Sequence, residues 1–355
     1  MGINMKFYDI NNKLLTVYGM NRKFERIPKE IAKNVSDGVF SQYNIPAGGR
    51  IRFSTNSSKI SIKVKVSNSR DIGFDLYKVE NGCEIFAAGF RKPDCFLCNG
   101  DFESSISVAA DNTMHSYTLN FPYISKFEEF YIGINDDAEL KSGTPYINTK
   151  PVVFYGSSIT QGAWASRPGT TYEAMISQKY NLNYLNLGFA GNAKGEKEIV
   201  DYMSRLDMSA FVCDYDHNAY DLNLLKNTHL PMYKKIREAN PEIPYIIITR
   251  PDYFSNPQDN DIRNAVIMET YEFAVKNGDT KVWFVDGKSF FEGEYYLNCT
   301  KDGCHPNDIG FYRMAQKISN VLAVALGLNK HKHNEYLVKG AFIGNDNVAR
   351  NVNRL

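Results

Sequence analysis

The chain has 355 residues, enough for two domains, and its 43% hydrophobic and 23% charged content is that of an ordinary globular protein. Its net charge is +1 and no basic stripe is present, so binding to nucleic acid or to an acidic membrane surface is not expected. No run approaches the ~18 to 20 apolar residues that span a bilayer.

The first residues, "MGINMKFYDINNKLL", lack the apolar core of a signal peptide. The localisation is therefore left open. The chain reads as cytoplasmic as it stands, and as periplasmic or secreted if a signal has been removed upstream of it.

Residues 14–148 have the residue pattern of short β-strands. "KISIKVKV" (59–66) alternates apolar and polar residues, the period of a half-buried strand. "GFDLYKVENGCEIFAAGF" predicts two strands around an Asn-Gly turn at 81–82, and "SSISVAA", "HSYTLNF" and "EEFYIGIND" predict further strands. Many short strands with little helical periodicity predict an antiparallel β-sandwich, jelly-roll-like, over residues 1–149.

After Lys150 strands and helices alternate. The apolar segments "PVVFYG", "LNYLNLG", "SAFVCDYD", "IPYIIITRP" and "KVWFVDG" predict strands, and the segments between them, together with "DIGFYRMAQKISNVLAVALG", predict helices. This alternation predicts a three-layer α/β/α domain with a parallel sheet over residues 150–328, with its site at the carboxyl ends of the strands. Residues 329–355 form a mildly basic tail without a predicted fold, where His331 and His333 have no evident role.

The cysteines are irregularly spaced, which favours free thiols over a disulfide scaffold. They stand at positions 83, 95, 98, 213, 299 and 304. "CFLC" at 95–98 has the spacing of half a zinc site, but the sequence holds no second CxxC, so a metal site is the less favoured interpretation.

Polar residues follow several of the predicted strands. They are Gly156-Ser157-Ser158, the glycines of "GFAGN" (188–192), Asp216-His217-Asn218, and Asp302 and His305 of "KDGCHPND". Each has an ordinary structural explanation: a serine can cap a helix, a glycine can turn the chain, and an asparagine can form a side-chain turn. Together, however, they offer what acyl transfer needs, namely a hydroxyl, a base, a carboxylate that orients the base, and oxyanion donors.

These motifs resemble the SGNH hydrolases, or GDSL esterases. The four blocks of that family read here as "GSSIT" (156–160), "GFAGN" (188–192), "DHN" (216–218) and "DGCHP" (302–306). "GFDLY" (73–77) is similar to the GxDLY signature of a β-domain that precedes the esterase in one subgroup. The resemblance covers roughly residues 40–328.

The resemblance implies a role for each matching residue. It assigns Ser158 as nucleophile, His305 as base and Asp302 as its carboxylate partner. The oxyanion donors are then the amides of Ser158 and Gly191, with Gly188 as an alternative register, and the side chain of Asn218. No metal or organic cofactor is needed. Ser157 departs from the commonest pattern, since it stands where the family has an aspartate.

The resemblance further implies a carbohydrate esterase that removes acetyl groups from a small-molecule or oligosaccharide ester. Two alternatives remain open: a general short-chain carboxylesterase, lipase or thioesterase, and a non-catalytic binding protein of the same fold. The β-domain either binds sugar or walls off the cleft, and Trp164 either stacks on a sugar ring or packs in the fold. The sequence predicts no oligomeric state.

Overall fold

The computed structural model describes residues 4–68, 73–91, 100–328, 341–343 and 349–351. Cys95, Cys98, His331 and His333 lie outside the described residues. Within them, no helix is long and apolar enough to span a membrane. The four described cysteines, Cys83, Cys213, Cys299 and Cys304, are free thiols.

The N-terminal half contains two antiparallel sheets, one with the strand order β1-β9-β4-β7 and one with the order β10-β3-β8-β5-β6, in which β2 also pairs with β3. The strands are β1 (Met5–Asp9), β2 (Thr16–Tyr18), β3 (Arg50–Thr55), β4 (Lys59–Asn68), β5 (Gly73–Glu80), β6 (Cys83–Arg91), β7 (Gly100–Ser107), β8 (His115–Asn120), β9 (Lys126–Asn135) and β10 (Leu140–Ser142). In β4 the residues Ile60, Ile62 and Val64 are buried, as the alternation predicts, and join residues of both sheets in one core. The predicted β-sandwich is confirmed.

The hairpin between β5 and β6 also agrees with the sequence. Asn81 and Gly82 have φ values of 50° and 79°, the left-handed pair of a type I′ turn. Such a turn matches the twist of the two strands that it joins.

Two short helices interrupt this half, contrary to the expectation of little helix before residue 148. They are α1 (Lys29–Val35) and α2 (Asp37–Phe40). Each has too few turns to show an apolar periodicity. Ala32 and Val39 are buried in the core of the parallel-sheet half, so tertiary packing stabilises these helices.

The second half is a five-stranded parallel sheet with the order β12-β11-β13-β14-β15 and helices on its two faces, which confirms the predicted fold class. Its strands are β11 (Val152–Gly156), β12 (Tyr184–Gly188), β13 (Ala210–Asp214), β14 (Tyr245–Ile248) and β15 (Val282–Val285). Its helices are α3 (Ser158–Gln161), α4 (Tyr172–Tyr180), α5 (Lys197–Ser204), α6 (Leu222–Ala239), α7 (Pro257–Lys276) and α8 (Asp308–Ala325). C-terminal to α8, strand β16 (Ala341–Ile343) pairs antiparallel with β17 (Ala349–Asn351). The domain boundaries at 149/150 and 328/329 stay predictions.

The "GFDLY" motif connects the two halves. The Asp75 side chain is fully buried, and its Oδ2 accepts a hydrogen bond from the Gly169 amide at 2.8 Å. The same oxygen lies 3.2 Å from Arg167 Nη1, which also donates to the Tyr77 hydroxyl at 2.7 Å. The aspartate and tyrosine of the motif therefore hold the loop between α3 and α4 of the parallel-sheet half.

Replacing Asp75 with asparagine is expected to lower the free energy of unfolding by ~1 to 3 kcal/mol, because Arg167 loses its charged partner while an acceptor for the Gly169 amide remains. The matched control is Asp207→Asn, which removes the ion pair between Asp207 and Lys150. These side chains are 76% and 56% exposed, respectively. That pair should contribute less than ~1 kcal/mol. Urea denaturation measures both, and equal losses would contradict the docking role of Asp75.

Candidate active site

The turn after β11 requires glycine at position 156. A Cβ there would lie 2.0 Å from Thr160 Oγ1 and 2.3 Å from the Asp214 carbonyl oxygen. Ser157 then caps α3, because its hydroxyl accepts a hydrogen bond from the Ile159 amide at 3.1 Å. Ser157 is therefore the capping serine, and the hydroxyl of Ser158 is available for other contacts.

Ser158, His305 and Asp302 form one hydrogen-bonded chain. Ser158 Oγ lies 2.8 Å from His305 Nε2, and His305 Nδ1 lies 2.8 Å from Asp302 Oδ2. An ionised carboxylate only accepts hydrogen bonds, so the ring proton belongs on Nδ1 and Nε2 can accept from the serine hydroxyl. The structure therefore brings Ser158 together with the Asp302 and His305 loop, which lies about 150 residues further along the sequence.

The loop around Asp302 keeps that carboxylate ionised. Its Oδ1 accepts hydrogen bonds from the amides of His305 at 2.8 Å and Cys304 at 3.1 Å, across Gly303 at a φ of 86°. Partial burial raises the pKa of Asp302, but these hydrogen bonds and the His305 ring outweigh it and hold the pKa below its ordinary value. The carboxylate is accordingly suited to orient an imidazole.

Three donors are free at the same edge of the sheet. In the part of the chain that the structure describes, no acceptor contacts the amides of Ser158 or Gly191, or Nδ2 of Asn218. Oδ1 of Asn218 accepts from the Ala193 amide at 3.1 Å, which fixes the orientation of the side-chain amide. Free, oriented donors are what an oxyanion site requires.

The structure favours Gly191 over Gly188 as the glycine with an available amide. The Gly188 amide already donates to Asn186 Oδ1 at 2.9 Å, and a Cβ on Gly188 would lie 2.2 Å from the Gln161 amide nitrogen. Gly188 therefore serves the close packing of β12 against α3. Gly191 has a φ of 71°, which suits glycine, and open space beside it.

Two family models together match most of the chain. The model of the GDSL-like lipase/acylhydrolase family matches residues 149–323, and the GxDLY model, the N-terminus of SGNH-hydrolase-type esterases, matches residues 4–140. The chain belongs to the SGNH hydrolases. Membership in this family supports an ester hydrolase.

Several solved structures share the fold of this SGNH hydrolase over nearly its whole length. A protein from Bacteroides ovatus described as a GDSL-like lipase is 26% identical, with a TM-score of 0.82 over 92% of this chain and 99% of its own. A salicylyl-acyltransferase from a tetracycline biosynthetic pathway is 18% identical, with a TM-score of 0.75 over 91% and 99%. An acetyl xylan esterase from the rumen bacterium Butyrivibrio proteoclasticus is 14% identical, with a TM-score of 0.60 over 91% and 99%. No curated protein matches the chain.

The sequence gives no hint that Arg26 contacts the second block of this SGNH hydrolase. The Arg26 guanidinium is buried and donates to the carbonyl oxygens of Gly188 at 2.6 Å and Asn186 at 3.1 Å. Gln42 Nε2 donates to the Ala190 carbonyl at 3.0 Å. Residues of the N-terminal half therefore hold the loop that carries Gly191, although more than a hundred residues separate them along the chain.

A buried carboxyl lies beneath the turn at residues 156–158. Asp214 Oδ2 accepts hydrogen bonds from the hydroxyls of Thr160 at 3.2 Å and Tyr172 at 3.3 Å. Burial raises the pKa of Asp214 to about 7, against the lowering effects of His217 and the two hydroxyls. Ionisation of this group near neutral pH therefore acts against the folded state.

The Asp214→Asn variant is expected to change how stability depends on pH. A raised folded-state pKa means that Asp214 contributes its full stability below its unfolded value, about 4, and loses that contribution as pH rises to about 7. As pH rises through this interval, the free energy of unfolding of the wild type should therefore fall relative to that of Asp214→Asn. Above about pH 7 the difference between the two proteins should stay constant. Urea denaturation at several pH values measures the difference. A difference that is constant from about pH 4 to about pH 8 would contradict the raised pKa.

Proposed function

We propose that this SGNH hydrolase is a serine esterase that removes short acyl groups, acetyl above all, from carbohydrate through an acyl-enzyme on Ser158. The observation that carries the proposal is the hydrogen-bonded chain of Ser158, His305 and Asp302, with distances of 2.8 Å at both links. A nucleophile, a base and an orienting carboxylate in this order are the requirements of the serine-hydrolase mechanism.

In the proposed mechanism His305 Nε2 accepts the Ser158 proton as Oγ attacks the ester carbonyl. The amides of Ser158 and Gly191 and the side chain of Asn218 donate to the resulting oxyanion. His305, held by Asp302, then protonates the leaving alcohol. Water attacks the acyl-enzyme with His305 as base, and the carboxylic acid and the free Ser158 hydroxyl are regenerated.

Two features support a carbohydrate leaving group. The chain shares its fold with an acetyl xylan esterase. Aromatic side chains also stand exposed beside the loops of the site. Trp164 is 50% exposed at a φ of 71°, with Lys301 Nζ 5.2 Å from the ring centroid, and Tyr220, close after Asn218, is 74% exposed. Exposed aromatic rings of this kind suit stacking on a sugar, which favours that interpretation of Trp164 over packing in the fold.

The preference for acyl chain length tests the proposal against a general esterase, lipase or thioesterase. We expect p-nitrophenyl acetate to be hydrolysed with a much higher kcat/KM than p-nitrophenyl octanoate, and acetylated xylo-oligosaccharides to be deacetylated. A preference for octanoate would contradict the acetyl assignment and favour lipid or thioester substrates. Absence of hydrolysis on every ester, by a folded protein, would favour the non-catalytic binding protein.

A further inference from the structure

A second cluster of reactive side chains lies beside the proposed esterase site without being part of it. His217, Asp252 and Cys304 each offer one ligand atom, and these atoms lie within 4.8 Å of one another. They come from three loops: His217 follows β13, Asp252 follows β14, and Cys304 stands between Asp302 and His305. The esterase mechanism uses none of the three.

The distances in this cluster are those of a small coordination sphere. Cys304 Sγ lies 3.7 Å from His217 Nδ1, and Asp252 Oδ1 lies 3.2 Å from His217 Nε2. Bonds of about 2.0 to 2.3 Å in a tetrahedral zinc site place neighbouring ligand atoms ~3.3 to 3.6 Å apart. The two contacts involve different ring nitrogens, so binding through one nitrogen requires the His217 side chain to reorient.

The cluster is largely shielded from water. The side chains of His217 and Asp252 are only 10% and 8% exposed. His217 Nε2 and Asp252 Oδ1 pair at the distance of an ion pair, but in the described part of the chain neither atom makes an aligned hydrogen bond. A bound ion would use the ligand capacity that this contact leaves unused.

The charge of the cluster suits a dication. Metal binding requires the deprotonated thiol and the neutral imidazole, so protons are released when an ion binds. A carboxylate and a thiolate together balance the two charges of the ion.

We propose that His217, Asp252 and Cys304 bind a thiophilic divalent metal ion, zinc above all. Sulfur and imidazole ligands select zinc over magnesium or calcium, which prefer oxygen. The ion joins the loop that precedes Asn218 to the loop that carries Asp302 and His305. Its role is to fix the position of the proposed oxyanion donor relative to the base, while ester cleavage itself stays with Ser158.

Another cysteine–histidine pair in the chain provides a control. Cys213 Sγ lies 4.0 Å from His229 Nε2, but His229 Nδ1 is hydrogen-bonded to the Thr270 hydroxyl at 2.8 Å, and among the described residues no carboxylate completes the group. Burial lowers the pKa of His229 to about 4. This pair has the same two residue types without the third ligand, so we expect it to bind no zinc.

The test measures metal binding directly, on protein stripped with a chelator and then given ZnCl2 or CoCl2. We expect about one tightly held zinc per chain, and a thiolate-to-cobalt charge-transfer band in the cobalt form. Binding should weaken more than about 100-fold in Cys304→Ser and in Asp252→Asn. It should persist in Cys213→Ala and in the Cys95→Ser/Cys98→Ser double variant, which controls for the "CFLC" thiols.

Circular dichroism checks that each variant is folded. Wild-type zinc content equal to that of Cys304→Ser, or a cobalt spectrum without the thiolate band, would overturn the proposal. Loss of binding in the Cys95→Ser/Cys98→Ser variant alone would overturn it too and assign the ion to "CFLC". Because Ser158→Ala should still bind zinc, the outcome is independent of whether the chain is an esterase.

Discussion

Replacing Ser158 with alanine is expected to lower kcat for p-nitrophenyl acetate on the order of 10⁶-fold, with little change in stability. The proposed acyl-enzyme forms on this hydroxyl, and losses of this size follow removal of the nucleophile in serine hydrolases. Steady-state hydrolysis by the purified variant measures the effect.

The neighbouring serine supplies the matched control. Ser157 differs from Ser158 by one position, but its hydroxyl accepts a hydrogen bond from the Ile159 amide at 3.1 Å. We expect Ser157→Ala to cost ~1 kcal/mol of stability as a lost helix cap and to keep kcat within about tenfold. If Ser157→Ala abolished activity and Ser158→Ala kept it, the nucleophile would be misassigned.

Replacing Asn218 with alanine is expected to lower kcat by about 10² to 10³-fold, the usual cost of one oxyanion donor. The variant also removes the acceptor of the Ala193 amide, which lies 3.1 Å from Asn218 Oδ1. A loss of activity could therefore reflect displacement of the Ala193 loop.

The Asn218→Asp variant separates the two effects. Aspartate keeps an acceptor for the Ala193 amide but replaces the donor with a second oxygen. We expect a loss of kcat at least as large as in Asn218→Ala, without a larger loss of stability, in kinetics and urea denaturation on the same preparations. Near-normal turnover in both variants would remove Asn218 from the proposed oxyanion site.

Local patterns in the sequence were sufficient to predict the layers of the fold. The alternation of β4 and the apolar strands after Lys150 are periodic over their own length, so neighbouring residues define them. Helices α1 and α2 are too short to carry such a pattern. The segment "HLPMYKKIREAN" predicts a helix from His229, whereas α6 begins at Leu222, where Asp221 accepts a hydrogen bond from the Leu224 amide at 2.8 Å and caps the helix.

The candidate site was predictable because its residues follow strands of one parallel sheet, whose carboxyl ends meet at one edge. Contacts between side chains of distant segments were not predictable. Arg26 acts through a long side chain buried against Gly188, and Asp252 meets His217 only because β13 and β14 are adjacent. Contacts of this kind depend on the packing of distant segments, which no local motif records.

Ser158 is the proposed activated nucleophile, and labelling with a fluorophosphonate tests this role most directly. We predict that the wild type gains the mass of one phosphonyl group, that peptide mapping finds it on Ser158, and that Ser158→Ala is unlabelled. A folded wild type that does not react, or a label on any other residue, would contradict the account.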